Sequence, residues 1–353
     1  SLWEICYFCK KSTLMSSFYK LSIKEVRRET ANAVSVLFNV PQELKPHYKF
    51  IAGQYINLKL TLDGEEIRRA YSICSSPQSG DLRIAIKSVS VGAFSTFANS
   101  KMKAGDVLEV GTPEGKFTFE PNPASQKNYA GFVAGSGITP VMSIMENVLD
   151  SEPDSTFVLV YGNKSTDDTI FHKQLHELQS KYTGRLFVHY VFSQAKIDGE
   201  LFGRIDKSTV NYILNNKHKE FEFDKYYLCG PEEMITLVSD VLKEKNIKEK
   251  DIKFELFFAP KADLPIDSSL EGHTKITVMV DDEETVFEMS QKQSVLDAAL
   301  KQGIDAPYSC QGGICSSCLA RIKSGTAEMK KNAILTDKEI AEGLILSCQA
   351  HPT

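Results

Sequence analysis

Long apolar runs are missing from this 353-residue chain. None approaches the roughly 18 residues that a membrane-spanning helix needs, so no membrane span is expected. Basic runs are missing as well. Lys and Arg number 41 against 46 Asp and Glu, and the formal net charge of −5 gives no general footing for nucleic acid. There are no internal repeats and no low-complexity tracts, which excludes solenoid and fibrous architectures. A secretory leader is not expected either: the apolar stretch 2–8 is short, and Lys10 and Lys11 follow it instead of preceding it. Eight cysteines without such a leader suggest a reducing, cytoplasmic setting where thiolates remain available for metal.

Half of those cysteines form one pattern. Cys310, Cys315 and Cys318 are followed after 29 residues by Cys348. C-x4-C-x2-C with a distant fourth Cys is the plant-type [2Fe–2S] spacing. Gly312 and Gly313 let the loop turn its amides inward, where they can hydrogen-bond cluster sulfur. A zinc site or a pair of disulfides is the competing reading, but zinc ribbons favour two C-x2-C knuckles and this set has one. Cys6 and Cys9 form a separate C-x2-C without a second half. Residues 1–16 therefore read as an extension or cloning scar, with domain structure beginning near Ser17.

The rest of the chain divides by its periodicity. Residues 17–121 carry short alternating or apolar runs at 34–38, 55–60, 82–86 and 107–110, separated by Gly53, Asp63-Gly64, Ser79-Gly80 and Gly105-Asp106. Such strands predict an antiparallel β-barrel, interrupted by one helix near 93–101. Residues 126–258 alternate strands, as at 156–161 and 225–229, with helices, as at 172–181. That alternation predicts an α/β domain with a parallel sheet. Residues 259–271, with Pro260 and Pro265 and no periodicity, read as a linker. Residues 272–353 form the cysteine domain, with strands near 275–280 and a helix near 294–302. The predicted class is a multidomain α+β protein.

Within the barrel, Arg69 can bond two oxygens of a pyrophosphate through its fork. Tyr71, two residues on, projects to the same side of a strand and can stack on a flat ring. Ser72 can donate to a ring nitrogen. Further along, Lys87 ends a strand, and Gly92 and Ser95 open a helix whose amides suit phosphate. Together these residues describe a flavin nucleotide site. A surface Arg and a core Tyr would give the first motif by chance. In the second domain, Gly135-Ser136-Gly137-Ile138-Thr139-Pro140 lies between a strand and a helix, where glycines permit close approach of a diphosphate. Cys229-Gly230-Pro231 repeats the arrangement at a later strand end, so both can line one cleft.

In this order the motifs R-x-Y-S, G-x-x-S, G-x-G-x-T-P and C-G-P resemble the ferredoxin–NADP reductase superfamily. With a plant-type, β-grasp-like ferredoxin fused behind them, they look like the reductase components of bacterial oxygenases. The resemblance runs from about residue 17 to the end and is strongest to the reductases of phenylacetyl-CoA epoxidase and 3-ketosteroid hydroxylase systems. It implies FAD held by Arg69, Tyr71 and Ser72, with Gly92 and Ser95 near the pyrophosphate. It implies that Gly135, Gly137, Thr139, Cys229, Gly230 and Pro231 contact a nicotinamide nucleotide. Tyr71, Ser72 and Cys229 become the residues beside the reacting rings, and Cys310, Cys315, Cys318 and Cys348 the cluster ligands. Lys164 and Ser165, with Arg204 as helper, favour NADPH over NADH, although Asp167 and Asp168 lie close by. FAD is favoured over the FMN found in some relatives. Glu255 and Phe257-Phe258 resemble the end of the reductase module, where an acid and an aromatic approach the flavin; an ordinary final strand has the same letters.

The expected activity is electron transfer from NAD(P)H through flavin and a [2Fe–2S] cluster to a protein partner, an oxygenase component. Flavins convert a hydride's two electrons into single ones, which the cluster can carry. Other acceptors, such as a hybrid-cluster protein or a desaturase, are compatible alternatives, as is a non-catalytic electron-transfer protein. The last class usually has a shorter gap before its fourth cysteine and lacks the tyrosine of R-x-Y-S.

Overall fold

A computed structural model describes residues 2–7, 17–62, 64–89, 92–257, 272–280 and 283–353, the first of these by backbone alone. The linker expected at 259–271, Phe258 and the Cys6–Cys9 pair lie outside the described residues or side chains. The chain separates into two compact units. One comprises Phe18–Ile67 with Tyr71–Phe257; the other holds Phe258–Thr353, Ser1–Ser17 and the short stretch Arg68–Ala70.

The chain begins with a strand, β1 (Leu2–Tyr7). The barrel follows with β2 (Phe18–Thr30), β3 (Ala33–Asn39), β4 (Tyr55–Leu62), β5 (Glu65–Ser72), β6 (Leu82–Lys87), helix α1 (Ala93–Ser100) and β7 (Val107–Gly111). Its six strands run in the order β5-β4-β7-β2-β3-β6. An isolated bridge between Ile73 and Ile84 joins the β5 end to the β6 end. That closure leaves little open edge, the hazard that barrels avoid. Alternate residues such as Val34, Val36 and Phe38 fill the interior with Leu21, Ile56, Leu58 and Ile86.

The second domain alternates β8 (Asn128–Ala134), α2 (Ile138–Ser151), β9 (Thr156–Asn163), α3 (His172–Lys181), β10 (Leu186–Phe192), β11 (Leu201–Phe202), α4 (Lys207–Tyr212), β12 (Phe223–Gly230), α5 (Glu232–Glu244) and β13 (Ile252–Leu256). Its six strands pair in the order β11-β10-β9-β8-β12-β13, and every pairing is parallel. Apolar runs such as Phe-Val-Leu-Val-Tyr in β9 are buried on both faces, as helix-covered parallel sheets require. Phe117 and Phe119 from the tail of the barrel join the sheet's core beside Tyr129 and Tyr227. The expected barrel and parallel-sheet classes are both present, and they share packing.

The cysteine domain contains β14 (His273–Val280), β15 (Glu283–Ser290), α6 (Val295–Lys301), β16 (Leu319–Ile322), β17 (Ala327–Met329), α7 (Asp337–Ala341), β18 (Leu344–Leu346) and β19 (Ala350–Pro352). The main sheet has the order β15-β14-β1-β16-β18. The sequence reads residues 1–16 as lying outside the domains, yet β1 pairs parallel with β14 and antiparallel with β16. Trp3, Ile5 and Tyr7 are residue types that favour strands, and pairing satisfies backbone groups that sheet edges leave open. α6 is capped by Ser294, whose side chain accepts from Asp297 N, and α7 by a Thr336–Glu339 capping box.

Gly53 shows how tightly the barrel tail is held. Its φ is +95°, and a Cβ there would sit 2.0 Å from the Phe117 carbonyl oxygen. Gly64, at φ +86°, has open space around it. Gly64→Ala should therefore cost only the left-handed penalty of about 1–2 kcal/mol. Gly53→Ala should cost at least twice that, because backbone must move. Thermal unfolding of the two variants checks this; equal losses would contradict the packing argument.

Candidate functional site

The R-x-Y-S motif expected to hold flavin lies on β5. Arg69 is exposed, and its Nη1 donates to the Arg68 carbonyl at 2.7 Å. Tyr71 is half-buried and packs on Phe94 of α1, ring centroids 5.6 Å apart. Tyr71 of R-x-Y-S thus meets the helix that follows Gly92. Gly92 is the N-cap residue of α1, where a Cβ would approach Ser95 Oγ and a Val89 methyl to 2.5 Å each. Ser95 is buried; its hydroxyl accepts from Val89 N (3.2 Å) and donates to Gly92 O (3.1 Å). The glycine and serine shape this turn before any phosphate is considered.

The two glycine loops of the second domain also meet. A Cβ on Gly137 would lie 2.1 Å from the Cys229 carbonyl oxygen and 2.9 Å from Gly230 N. Gly230 in turn leaves 3.2 Å to Ala134 N. Glycine is demanded here by backbone meeting backbone, a reason the sequence alone does not reveal. Gly135 adopts φ +55°, and its carbonyl accepts from the Tyr161 hydroxyl at 2.9 Å. Thr139 is buried and donates from Oγ1 to Ser136 O at 3.0 Å. Pro231 is the N-cap residue of α5, its carbonyl accepting from Met234 N at 3.0 Å. Sequence reasoning misses Tyr161 as a site residue, since nothing local marks it among other buried strand tyrosines.

Lys87, at the end of β6, reaches the Gly135 loop: its Nζ lies 3.4 Å from the place a Gly135 Cβ would take. Burial holds its ammonium below the usual lysine range; Asp168 pulls the other way and Lys164 adds to the push. Ser165 Oγ donates to Asp168 Oδ2 at 2.9 Å. Lys87, Lys164, Ser165 and Asp168 are therefore one polar group beside the first glycine loop. Arg204 stands exposed after β11, its carbonyl accepting from Thr209 Oγ1 at 3.4 Å. Among the described residues no hydrogen bond or ion pair joins Arg204 to Lys164 or Ser165.

At the carboxyl end of the sheet, Cys229 on β12 sits in register with Glu255 on β13. Cys229 has no exposed surface, and burial, reinforced by Glu255, pushes its thiol well above the usual range. It is a neutral thiol at physiological pH. Ser72 Oγ donates to Glu255 Oε2 at 3.1 Å, across 183 positions of sequence. Desolvation pushes the Glu255 carboxyl up to about 8, with the Ser72 hydrogen bond pulling it partway back. Ser72, Glu255 and Cys229 thus form a polar line where the barrel meets the parallel sheet.

In the cysteine domain all four expected ligands are free thiols, with Cys315, Cys318 and Cys348 buried and Cys310 part-buried. They converge in two pairs. Cys318 and Cys348 sulfurs are 3.3 Å apart. Cys310 pairs with Cys315 and also receives Gly312 N at 3.3 Å. The hydrogen bond from Cys315, then backbone amides, lowers Cys310, while Cys315 is raised; Cys348 is lowered and Cys318 raised in the same way. Among the described residues no three His, Cys, Asp or Glu converge as a single metal ion would require. Two pairs fit a cluster of two irons with two thiolates on each. Ser309 and Ser347, each preceding a cysteine expected as a ligand, are buried with hydroxyls that meet no partner among the described residues, which fits a site built around an added acceptor. Gly313, at φ +72°, leaves no room for a side chain: a Cβ would lie 2.6 Å from Lys331 O.

Known proteins match this arrangement. Residues 20–119 match the family described as an oxidoreductase FAD-binding domain, 132–240 an oxidoreductase NAD-binding domain, and 278–353 a 2Fe-2S iron-sulfur cluster binding domain. The chain is 38% identical over 343 residues to a component of 1,2-phenylacetyl-CoA epoxidase from Escherichia coli K12, covering 96% of each chain. It is 32% identical to the ferredoxin reductase component of 3-ketosteroid-9-alpha-monooxygenase from Rhodococcus rhodochrous, covering 94% of this chain and 93% of that one. Phthalate dioxygenase reductase shares the fold, with a TM-score of 0.61, 22% identity and 96% of each chain covered. The chain belongs to the family of flavin- and [2Fe–2S]-containing oxygenase reductases within the ferredoxin–NADP reductase superfamily. It is an oxidoreductase with FAD-, NAD- and cluster-binding domains, as the motifs imply. No helix among the described residues is long and apolar enough to cross a membrane.

The half-buried Glu255 and the fourth cysteine can each be tested. Glu255, raised from 4.5 to about 8, accrues a stability cost over the pH range where the unfolded chain has released its proton and the folded one has not. The cost is absent below pH 4.5, grows between 4.5 and about 8, and is constant above. Glu255→Gln should therefore gain stability over the native protein as pH rises through that window, by on the order of a few kcal/mol. Denaturant midpoints at pH 5 and pH 8.5 test this, and parallel pH curves would refute it. Cys348→Ser should remove the cluster's visible absorbance while leaving bound flavin; an intact cluster spectrum would show that Cys348 is not a ligand.

Proposed function

We propose that this chain takes reducing equivalents from NADPH and delivers them singly to a partner oxygenase in the cytoplasm, the oxygenase being of the phenylacetyl-CoA epoxidase or ring-hydroxylating kind. The observation that carries the reading is the 38% identity over 96% of both this chain and the epoxidase component from Escherichia coli, with all three domains matched on this chain. The eight cysteines, six of them free thiols among the described residues, support the reducing compartment.

The chain's residues divide the work as follows. Arg69, Tyr71 and Ser72 hold and orient FAD, with Gly92 and Ser95 shaping the turn beside its phosphates. Gly135, Gly137, Thr139, Gly230 and Pro231 form the floor for the nicotinamide nucleotide, and Lys87 meets its phosphates over Gly135. FAD, when bound, supplies the conversion between a hydride and single electrons. Cys229, uncharged and buried, borders the nicotinamide without adding a charge that would repel or attract it. Glu255, protonated near neutral pH and bonded to Ser72, gives that face a half-buried proton-bearing group. Cys310, Cys315, Cys318 and Cys348 hold the [2Fe–2S] cluster.

NADPH is preferred because Lys164 and Ser165 follow β9, where an NAD-selecting acid would otherwise stand. Ser165 is engaged by Asp168, which leaves Lys164, and Arg204 if it swings inward, as the cations for a 2′-phosphate. Lys164→Ala should raise KM for NADPH about tenfold, the equivalent of ~1.4 kcal/mol, and leave KM for NADH nearly unchanged. Anaerobic titration with each nucleotide, followed by absorbance and low-temperature EPR, tests the whole reading. Flavin bleaching followed by a reduced-cluster signal is expected. A cluster reduced by dithionite and by neither nucleotide would leave an electron-transfer protein fed by another one.

A further inference from the structure

At the amino ends of the parallel strands, opposite the glycine loops, lies a cavity of about 200 Å³. Three lysines line it: Lys127, Lys225 and Lys253. Lys225 and Tyr227 are two apart on β12 and share a face, and Tyr227 is in register with Lys253 on β13. Both amines therefore rise beside the same tyrosine, one strand apart. Lys225 lies four residues, or ~13 Å of strand, before Cys229, and Lys253 two residues, or ~7 Å, before Glu255.

Among the described residues, neither acid that lines the cavity forms an ion pair with them, although Glu120 attracts Lys253. Glu152, in the cavity wall, is buried and already accepts from Asn122 N (2.9 Å), Tyr129 OH (2.9 Å) and Ser155 Oγ (2.8 Å). Glu120 also lines the cavity but is exposed to water. Among the described residues none of the three lysines has an ion pair. Lys253 spends one N–H on the Thr118 carbonyl at 2.6 Å, which leaves two donors on an ammonium that carries three. Burial depresses Lys253 and Lys225 depresses it further, while Glu120 pulls the other way without cancelling the shift, so a bound anion would relieve it.

We propose that this cavity is a binding site for a small phosphate-class anion, held by Lys225 and Lys253 with Lys127 at the rim. The volume is below the 300–1,000 Å³ typical of drug-sized ligands, which suits phosphate or diphosphate and excludes a nucleotide. Its wall is made by the tail of the barrel (Thr118) together with the parallel sheet (Lys225, Lys253). An occupant would tie the Thr118–Lys253 contact down and brace the joint between these two domains, separately from the nucleotide at the sheet's other end.

Calorimetric titration of the holoprotein tests the site, with NADP⁺ saturating so that the nucleotide phosphate positions are filled. Inorganic phosphate, pyrophosphate and succinate are compared at ionic strength matched with chloride. One equivalent of pyrophosphate or phosphate should bind, and Lys225→Gln/Lys253→Gln should weaken it at least about tenfold. Lys225→Gln alone keeps the Thr118 contact and should weaken binding about fivefold, which covers the case in which the double variant does not fold. Equal affinity in native and variant proteins, or no binding of any probe, would overturn the site. Tightest binding of succinate would overturn the phosphate assignment.

Discussion

The close approach of Gly137 to the Cys229 carbonyl is the constraint on which the candidate nucleotide face depends. With a Cβ excluded at 2.1 Å, the loop after β8 and the loop after β12 can lie backbone against backbone. This brings the carboxyl ends of two adjacent parallel strands to one level. Cys229 then stands beside Val133 on one side and Glu255 on the other through ordinary strand register. Ser72 from the barrel completes the line by donating to Glu255. Any side chain at residue 137 would part the loops, and the register that carries Cys229 and Glu255 to the barrel would be lost with them. Glycine in this motif serves packing first, and room for a diphosphate follows from the same geometry.

What the sequence shows and what it hides follow from the range of the interactions. The cysteine spacing is local apart from one residue, and C-x4-C-x2-C is informative because a single loop must supply three thiolates. Strand and helix periodicity is local too, so β9, α3 and β12 are legible in the letters, with α3 matching residue for residue. Glu255 is ambiguous in the sequence because its meaning depends on Ser72, 183 positions away, and on desolvation that only the folded packing provides. Tyr161 is hidden for the same reason: its hydroxyl finds the Gly135 carbonyl 26 positions back. β1 is hidden because strand-forming letters at a chain end give no sign of the sheet they will join.

The cysteine domain solves a different problem, that of holding four sulfurs close before any metal compensates them. Thiolates repel one another, and the protein handles this by pairing. In each pair one sulfur is the acceptor of the other's hydrogen, so Cys310 and Cys348 carry the lowered affinities for a proton while Cys315 and Cys318 keep theirs. Backbone amides from Gly312 and Gly313 support those two acceptors. The same amides are suited to a cluster's negative charge, since an N–H that stabilises a thiolate also stabilises sulfur bound to iron. Gly313 reaches its position only because φ is +72° and no Cβ stands between it and Lys331 O.

Neutrality at one end of the parallel sheet and charge at the other follow from one property of the fold. Parallel strands place their carboxyl ends together, and here those ends carry Cys229 and Glu255, both uncharged near neutral pH because burial disfavours their ionised forms. A hydride moves as a pair of electrons with its nucleus, so a face free of fixed charge neither holds it back nor diverts it to water. The amino ends carry Lys225 and Lys253, whose ammonium groups remain in a polar cavity with water access. The sheet thus keeps Lys225 four residues and Lys253 two residues short of the Cys229–Glu255 level. Moving either lysine to the Cys229 level would set a positive charge against a dry surface and draw Glu255 into ionising, which would convert the proton-bearing group opposite Ser72 into a fixed anion.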